Sequence, residues 1–223
     1  LARAVGVRQS PLEEVPALAL GTSPVTLREM GGSYGTIANG GVYLEPQLVT
    51  RVEDKDGKLL EAFAPAEPEE ALAPGPAYTL LDVMRGVVDR GTGSAIRRQF
   101  GLRADLAGKT GTTQDNTDGW FILMHPQLVG GAWVGFNDNR VTLRSDYWGQ
   151  GAKSALPIVG DAFHYALRNR LVDGKARFVS KETPGVFRRG WNWLTGLFAS
   201  AEPEAPPPEP RRSRRPARPE TPT

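Results

Sequence analysis

The sequence predicts an α+β fold, with helices, three antiparallel strands and a closing helix packed in layers. Two observations predict it. Residues 106–136 divide into three short apolar segments, and the polar turns between them are too short for anything but antiparallel neighbours. Before and after this region, apolar residues recur at the three- and four-residue spacing of amphipathic helices.

The elements follow in order. Residues 1–25 mix short helical turns with Gly and Pro. Thr26 and Glu29 then form a capping-box pair, in which each side chain satisfies the free backbone N–H of the other. Leu27, Met30, Tyr34, Ile37 and Ala38 continue at helical spacing, and Asn39-Gly40-Gly41 ends the helix. Val42 to Leu44, Leu48 to Val52 and Leu59-Leu60, with turn residues at Asp54 to Lys58, predict a β-hairpin exposed on one face. Residues 64–77, rich in Pro, Ala and Glu, predict a surface loop. A second helix is expected over Tyr78 to Val88, with Leu80, Leu81, Met84, Val87 and Val88 on one side. Gly91-Thr92-Gly93 stops it, and a helical turn follows from Ser94. The three strands are Leu106 to Thr113, Trp120 to Met124 and Val129 to Phe136. The closing helix runs from Ala155 to Asn169 and buries Leu156, Val159, Phe163, Ala166 and Leu167.

Composition narrows the function. Acidic and basic residues are mixed along most of the chain and leave a net charge of +2, which is no footprint for nucleic acid. The absence of Cys excludes disulfides, thiolate chemistry and Cys-based zinc sites. No stretch approaches the ~20 apolar residues that span a bilayer, and no signal peptide is visible. The first residue is Leu1, so a fragment or processed chain is the simplest reading. Two parts are expected: a folded part over residues 1–199, and a Pro/Arg-rich tail over 200–223. The tail has no apolar residue larger than Ala with which to offset its ordering entropy, and so is expected to be disordered.

The chemistry-bearing string is Gly108-Lys109-Thr110-Gly111-Thr112-Thr113, followed by Gln114 to Phe121. A phosphate-binding P-loop would need Gly where Arg103 stands, and a helix where strand-forming residues follow. The string instead has the form of the Lys-Thr-Gly motif of serine acyltransferases. On a strand edge that accepts an extended peptide, Lys109 supplies positive charge, and Thr110 and Thr112 offer hydroxyls to a substrate carboxylate. Gly111 allows close backbone approach, and the N–H that follows it can serve an oxyanion hole.

The surrounding blocks carry a family resemblance. Pro16 to Ser23 with Val25-Thr26-Leu27 resembles the segment before the long helix of class A penicillin-binding proteins, and Thr36 to Gly41 resembles the end of that helix. Val87-Val88 with Gly91-Thr92-Gly93, Lys109 to Thr113, Asp115, Asp118, Trp120-Phe121 and Trp133-Val134-Gly135 continue the series over about residues 1–170. The resemblance implies a serine β-lactamase-like fold, an antiparallel sheet with helices on both sides. It implies a D,D-transpeptidase that joins peptidoglycan stem peptides through a seryl ester and is acylated by β-lactams. Lys109, Thr110, Gly111 and Thr112 would line the substrate groove, with Lys109 and Thr112 as the catalytic pair and the Thr112 N–H in the oxyanion hole. No cofactor or metal is called for. An upstream glycosyltransferase domain and an N-terminal anchor in the bacterial inner membrane, with this part on the periplasmic or extracytoplasmic side, are further implications. The chain departs from the family in one respect: no Ser opens the Ser-x-x-Lys or Ser-x-Asn pattern. A fragment unable to acylate alone is therefore expected. A non-catalytic binding module on the same fold is the rival reading, and a nucleotide-binding protein the distant one.

Plainer roles stand beside these. Lys109 also suits an edge strand guarded against aggregation, and Thr112 and Thr113 are good strand formers. Alternation puts Thr110 and Thr112 on one face and Thr113 on the other. Asp115 and Asp118 are expected as turn residues bonding local backbone rather than as metal ligands. His125 and His164 are expected to be structural, and Trp120, Phe121 and Trp133 to be core residues, one of them bordering the groove. Arg188 to Phe198, with Trp191 and Trp193, forms an amphipathic stretch suited to packing or to a membrane surface.

Overall fold

The computed structural model describes residues 1–113, 116–138 and 140–178. The amphipathic stretch Arg188 to Phe198 and the tail boundary at 200 lie outside the described residues.

A three-stranded antiparallel sheet organises the fold: β5 (Ala107–Thr112), β6 (Asp118–His125) and β7 (Leu128–Gly135), in the order β5-β6-β7. Phe121, Ile122, Leu123 and Met124 in β6 are all fully buried. An alternating strand would bury one face only, so this continuous apolar run demands a layer on each side. On one face Phe121, Leu123 and Ala132 pack against Leu156, Val159 and Phe163 of α5 (Ala155–Arg168), and against Val88 and Ile96. On the other, Ala107 and Met124 pack with Ile37 of α2 (Leu27–Ala38), and with Leu81 and Met84 of α3 (Pro74–Asp89). The two faces together bury apolar side chains worth on the order of 2 kcal/mol each. Paired glycines in β7 allow close packing from both sides. A Cβ at Gly130 would stand 2.8 Å from the Phe163 ring, and one at Gly131 2.4 Å from Ile122 Cδ1.

The outer elements follow the expected order, with three differences. First, α3 begins at Pro74 rather than Tyr78. Proline is tolerated in the first helical turn, where its missing N–H has no partner to lose, so the Pro-rich run belongs partly to the helix. Second, Val42–Tyr43 (β1) leave the hairpin and pair with Glu69–Glu70 (β4), inside the stretch expected to be loop. Third, the hairpin of β2 (Arg51–Glu53) and β3 (Leu59–Ala62) is exposed on both faces rather than one. Its turn forms as expected, with Asp54 accepting the N–H groups of Asp56 and Lys58. α1 (Ala2–Val5) and a 3-10 turn at Pro16–Leu20 supply the early helical turns, and α4 (Ala95–Arg98) follows Gly93. No helix among the described residues is long and apolar enough to cross a membrane.

Two polar anchors hold the periphery to this core. Arg85 grips Asp105 through two hydrogen bonds, at 2.8 and 2.9 Å, and Asp105 also accepts the Phe178 N–H at 3.0 Å. Burial pushes the Asp105 carboxyl up, but Arg85 and the Phe178 N–H bring it below the usual carboxylate range. His125 is structural, as expected: it is buried, its Nδ1 accepts the Gln127 N–H at 3.2 Å, and burial lowers its pKa. His164 is exposed, with Nδ1 3.3 Å from the Phe100 carbonyl.

The second anchor is Glu29. It completes the capping box with Thr26, and it also accepts the N–H groups of Gln9 (2.7 Å) and Ser10 (2.9 Å) and the Ser10 hydroxyl. One carboxylate thereby ties the N-terminal segment to the start of α2. Burial pushes this carboxyl up, and the hydrogen bonds from Ser10, Gln9 and Thr26 outweigh it, lowering the pKa from 4.5 to about 2. The stabilisation is therefore complete above the unfolded pKa of 4.5 and is lost as pH falls toward 2. Glu29→Gln is expected to cost about 2 kcal/mol at neutral pH. The gap between variant and parent should close across that acid window in urea titrations at a series of pH values. A gap that does not vary with pH would mean that the charge is not the anchor.

Candidate functional site

The site is built on β5, an end strand of its sheet. The Thr113 N–H donates to the Asp118 carbonyl at 3.1 Å, one pair beyond Thr112–Gly119, and this sets the phase of the ladder. Antiparallel pairs alternate, so Gly111–Trp120 and Lys109–Ile122 are the pairs that exchange bonds with β6. The N–H and C=O groups of Thr110 and Thr112 then point away from β6, toward a side with no strand among the described residues.

The side chains around this edge are held differently from one another. Lys109 is exposed, and its Nζ donates to the Thr110 carbonyl at 2.7 Å; no carboxylate among the described residues pairs with it. Thr110 Oγ1 lies 2.7 Å from Thr92 Oγ1. Thr112 Oγ1 accepts the Gly151 N–H at 3.1 Å, which leaves the Thr112 hydroxyl proton free to be donated. The Thr113 hydroxyl instead meets Thr117 (2.6 Å) and Asp118 (3.2 Å), in keeping with the expected alternation. Trp120 stands opposite Gly111 and is half-buried, and a Cβ at Gly111 would come within 3.0 Å of the Trp120 Cβ.

All four expected site residues thus fall on one strand. Gly108-Lys109-Thr110 lies inside that strand and not in a loop entering a helix, so the backbone cradle of a P-loop is missing here. Other expectations need correction. Asp118 is no turn residue bonding local backbone: it opens β6, and its carboxylate accepts the Trp133 indole N–H at 2.6 Å and the Thr117 hydroxyl at 3.1 Å, clamping adjacent strands. Asp115 lies outside the described residues. Phe121 is core, but Trp120 and Trp133 are only half-buried, with ring centroids 6.3 Å apart. Sequence reasoning missed Thr92 and Gly151. Thr92 sat in plain view as the centre of a helix-stopping Gly-Thr-Gly, whereas Gly151, remote in sequence from β5, carries no local signal.

Gly151 seats its loop against the strand. A Cβ there would lie 2.2 Å from the Trp120 carbonyl oxygen and 2.4 Å from that of Gly111, both backbone atoms that cannot swing aside. Gly151→Ala should therefore lift the loop, free the Thr112 hydroxyl and cost about 2 kcal/mol. An unchanged melting temperature would show that the loop is not seated there.

Comparisons with known proteins identify the family. Residues 9–135 match the family model described as the penicillin binding protein transpeptidase domain. Penicillin-binding protein 1A of Neisseria gonorrhoeae is 33% identical over 172 residues, covering 75% of this chain and 21% of the relative. The chain therefore spans about a fifth of that protein's length. The fold is similar to a crystal structure of penicillin-binding protein 1A from Haemophilus influenzae, with TM-score 0.66, 24% identity, and 75% of this chain and 30% of that one covered. It is also similar to penicillin-binding protein A of Mycobacterium tuberculosis in an imipenem acyl-enzyme complex, with TM-score 0.56, 25% identity, and 74% and 41% covered. The family model covers more than half of the chain, and the chain belongs to the penicillin-binding protein transpeptidase family.

Proposed function

We propose that this chain supplies the substrate-holding wall of a peptidoglycan D,D-transpeptidase. The outward-pointing Thr112 N–H, on a strand edge that also carries the exposed Lys109 and pairs with no further strand among the described residues, carries the proposal. An extended stem peptide adds to β5 as a further strand. Its terminal carboxylate is drawn by Lys109 and receives the hydroxyls of Thr110 and Thr112. Gly111 leaves room for its backbone, and the Thr112 N–H donates to the oxyanion as the scissile carbonyl becomes tetrahedral.

The nucleophile belongs to the parent protein, since no Ser of this chain opens Ser-x-x-Lys. There the Ser oxygen attacks the penultimate D-alanyl carbonyl, and the terminal D-alanine leaves as an amine carrying a proton. An amine of a second stem then displaces the Ser oxygen and closes the cross-link. A β-lactam acylates the same Ser, in line with the imipenem acyl-enzyme of the Mycobacterium protein. The likeness to penicillin-binding protein 1A supports a class A parent that also carries a glycosyltransferase domain and an inner-membrane anchor, with this domain on the periplasmic side. We place the transpeptidase domain over residues 1–199 and read 200–223 as an appended tail, on the change to Pro- and Arg-rich sequence there. The missing Ser-x-x-Lys favours a second reading, a non-catalytic binding module, should the parent lack the motif as well.

Fluorescent-penicillin labelling of this chain and of the full open reading frame separates the two. Label on the longer protein alone is expected. Lys109→Ala in that protein should slow acylation on the order of a hundredfold with the fold intact by circular dichroism. Undiminished labelling would move the substrate site away from β5, and no label on the full-length protein would favour the binding module.

A further inference from the structure

We propose that Tyr147 and Trp148 form an aromatic platform that holds a sugar ring of the glycan strand from which the acyl-donor stem hangs. The proposal rests on the transpeptidase reading above. Both side chains are large and more than half exposed, Tyr147 at 56% and Trp148 at 57%. They are nonetheless held in place. Their rings meet edge to face at 5.0 Å, Lys153 Nζ stands 5.0 Å from the Tyr147 ring centre, and the backbone N–H of Trp148 donates to Ser145 Oγ at 3.1 Å, fixing the main chain that carries the indole. Exposed apolar rings fixed in this way lose little entropy on binding a ligand.

The platform is tied to the substrate strand at Thr112 and, at two further points, to Asn116 between β5 and β6. The Gly151 N–H reaches the Thr112 hydroxyl at 3.1 Å, the Leu143 N–H reaches the Asn116 carbonyl at 3.0 Å, and the Asn116 amide reaches Asp146 at 3.0 Å. The direction of the bound peptide then decides what meets the platform. Lys109 marks the end of β5 that attracts the terminal carboxylate, and the Thr112 N–H marks the scissile carbonyl. The rest of the stem therefore runs past Thr113 toward Asn116 and this loop. Trp148 is three residues from Gly151, so its backbone lies within about 11 Å of Gly151. The three stem residues beyond the D-alanyl pair span a similar distance of about 10 Å when extended. The group that follows them is the sugar. A pyranose can lay its C–H face on the indole and turn its hydroxyls toward Asn116, Asp146 and Lys153. The peptide itself needs no aromatic platform, because the backbone edge of β5 holds it.

The test uses the full-length protein and two acyl donors: glycan strands bearing pentapeptide stems, and the same pentapeptide free. The readout is the ratio of the two KM values for release of D-alanine, glycan-borne over free. Trp148→Ala is expected to raise this ratio about five- to tenfold, and Trp148→Phe should restore most of it. Penicillin acylation of the variant checks that the site is still assembled. A ratio that stays unchanged overturns the platform, as does an equal rise in both KM values, which would mean that the loop serves the peptide or merely supports β5. Penicillin acylation of the unsubstituted protein is read first. Its failure removes the transpeptidase reading and the platform with it, whereas its success with an unchanged ratio removes the platform alone.

Discussion

Burial of β6 on both faces is the constraint from which the rest follows. Phe121, Ile122, Leu123 and Met124 leave the strand no solvent side, so helices must cover the sheet above and below, and β6 must lie between two strands. With β6 central, β5 lies at the end of its sheet and offers backbone groups outward. The polar string Lys109 to Thr112 can occupy a strand at all because the apolar strand beside it bears the packing. Every β5 residue is placed by its partner across the ladder, Lys109 by Ile122 and Thr110 by Phe121. The hydrophobic core and the exposed edge are thus two aspects of one strand pairing.

Polar contacts then fix what burial leaves loose. Glu29 and the Arg85–Asp105 pair each hold a segment distant in sequence, residues 9–10 in one case and Phe178 in the other. Both use a carboxylate with several donors, and this is the condition under which burying a charge is tolerable. At the site the same economy is met with hydroxyls. Thr112 receives the Gly151 N–H and Thr110 meets Thr92, so the strand edge is braced from its side chains while its outward backbone groups pair with no strand among the described residues.

Much of this was legible because the signals were local. Thr26 and Glu29 stand three residues apart and announce the start of α2. Phe121 to Met124 form one uninterrupted apolar run, and the turns around them are short. The Lys109 to Thr112 string carries its chemistry in its residue types. What stayed hidden depended on partners far along the chain. Val42–Tyr43 pair with Glu69–Glu70 across the intervening hairpin, and no periodicity in either segment encodes that. Asp118 looked like turn chemistry because its partner, the Trp133 indole, arrives from β7. Pro74 falls within the Pro-rich stretch expected as a loop because composition there does not reveal position, and at the first helical position a proline breaks nothing. Gly151 has no sequence signal of its own, and only the backbone of Trp120 and Gly111 beneath it shows why a side chain would not fit.

Under the proposed function, the two readings of Lys109, guard of an edge and recruiter of a substrate, become one. An open strand edge invites pairing with any extended chain, and a charged side chain on it discourages the indiscriminate kind. Here the ammonium reaches back to the Thr110 carbonyl, one of the outward backbone groups that an added strand would need. A peptide that ends in a carboxylate offers that ammonium a stronger, charged partner and frees the carbonyl as it binds. A peptide without one must break the contact and gains no such partner in return. Discrimination of this kind needs no moving part, because it follows from placing a lone cation on the same strand as the hydrogen-bonding groups it covers.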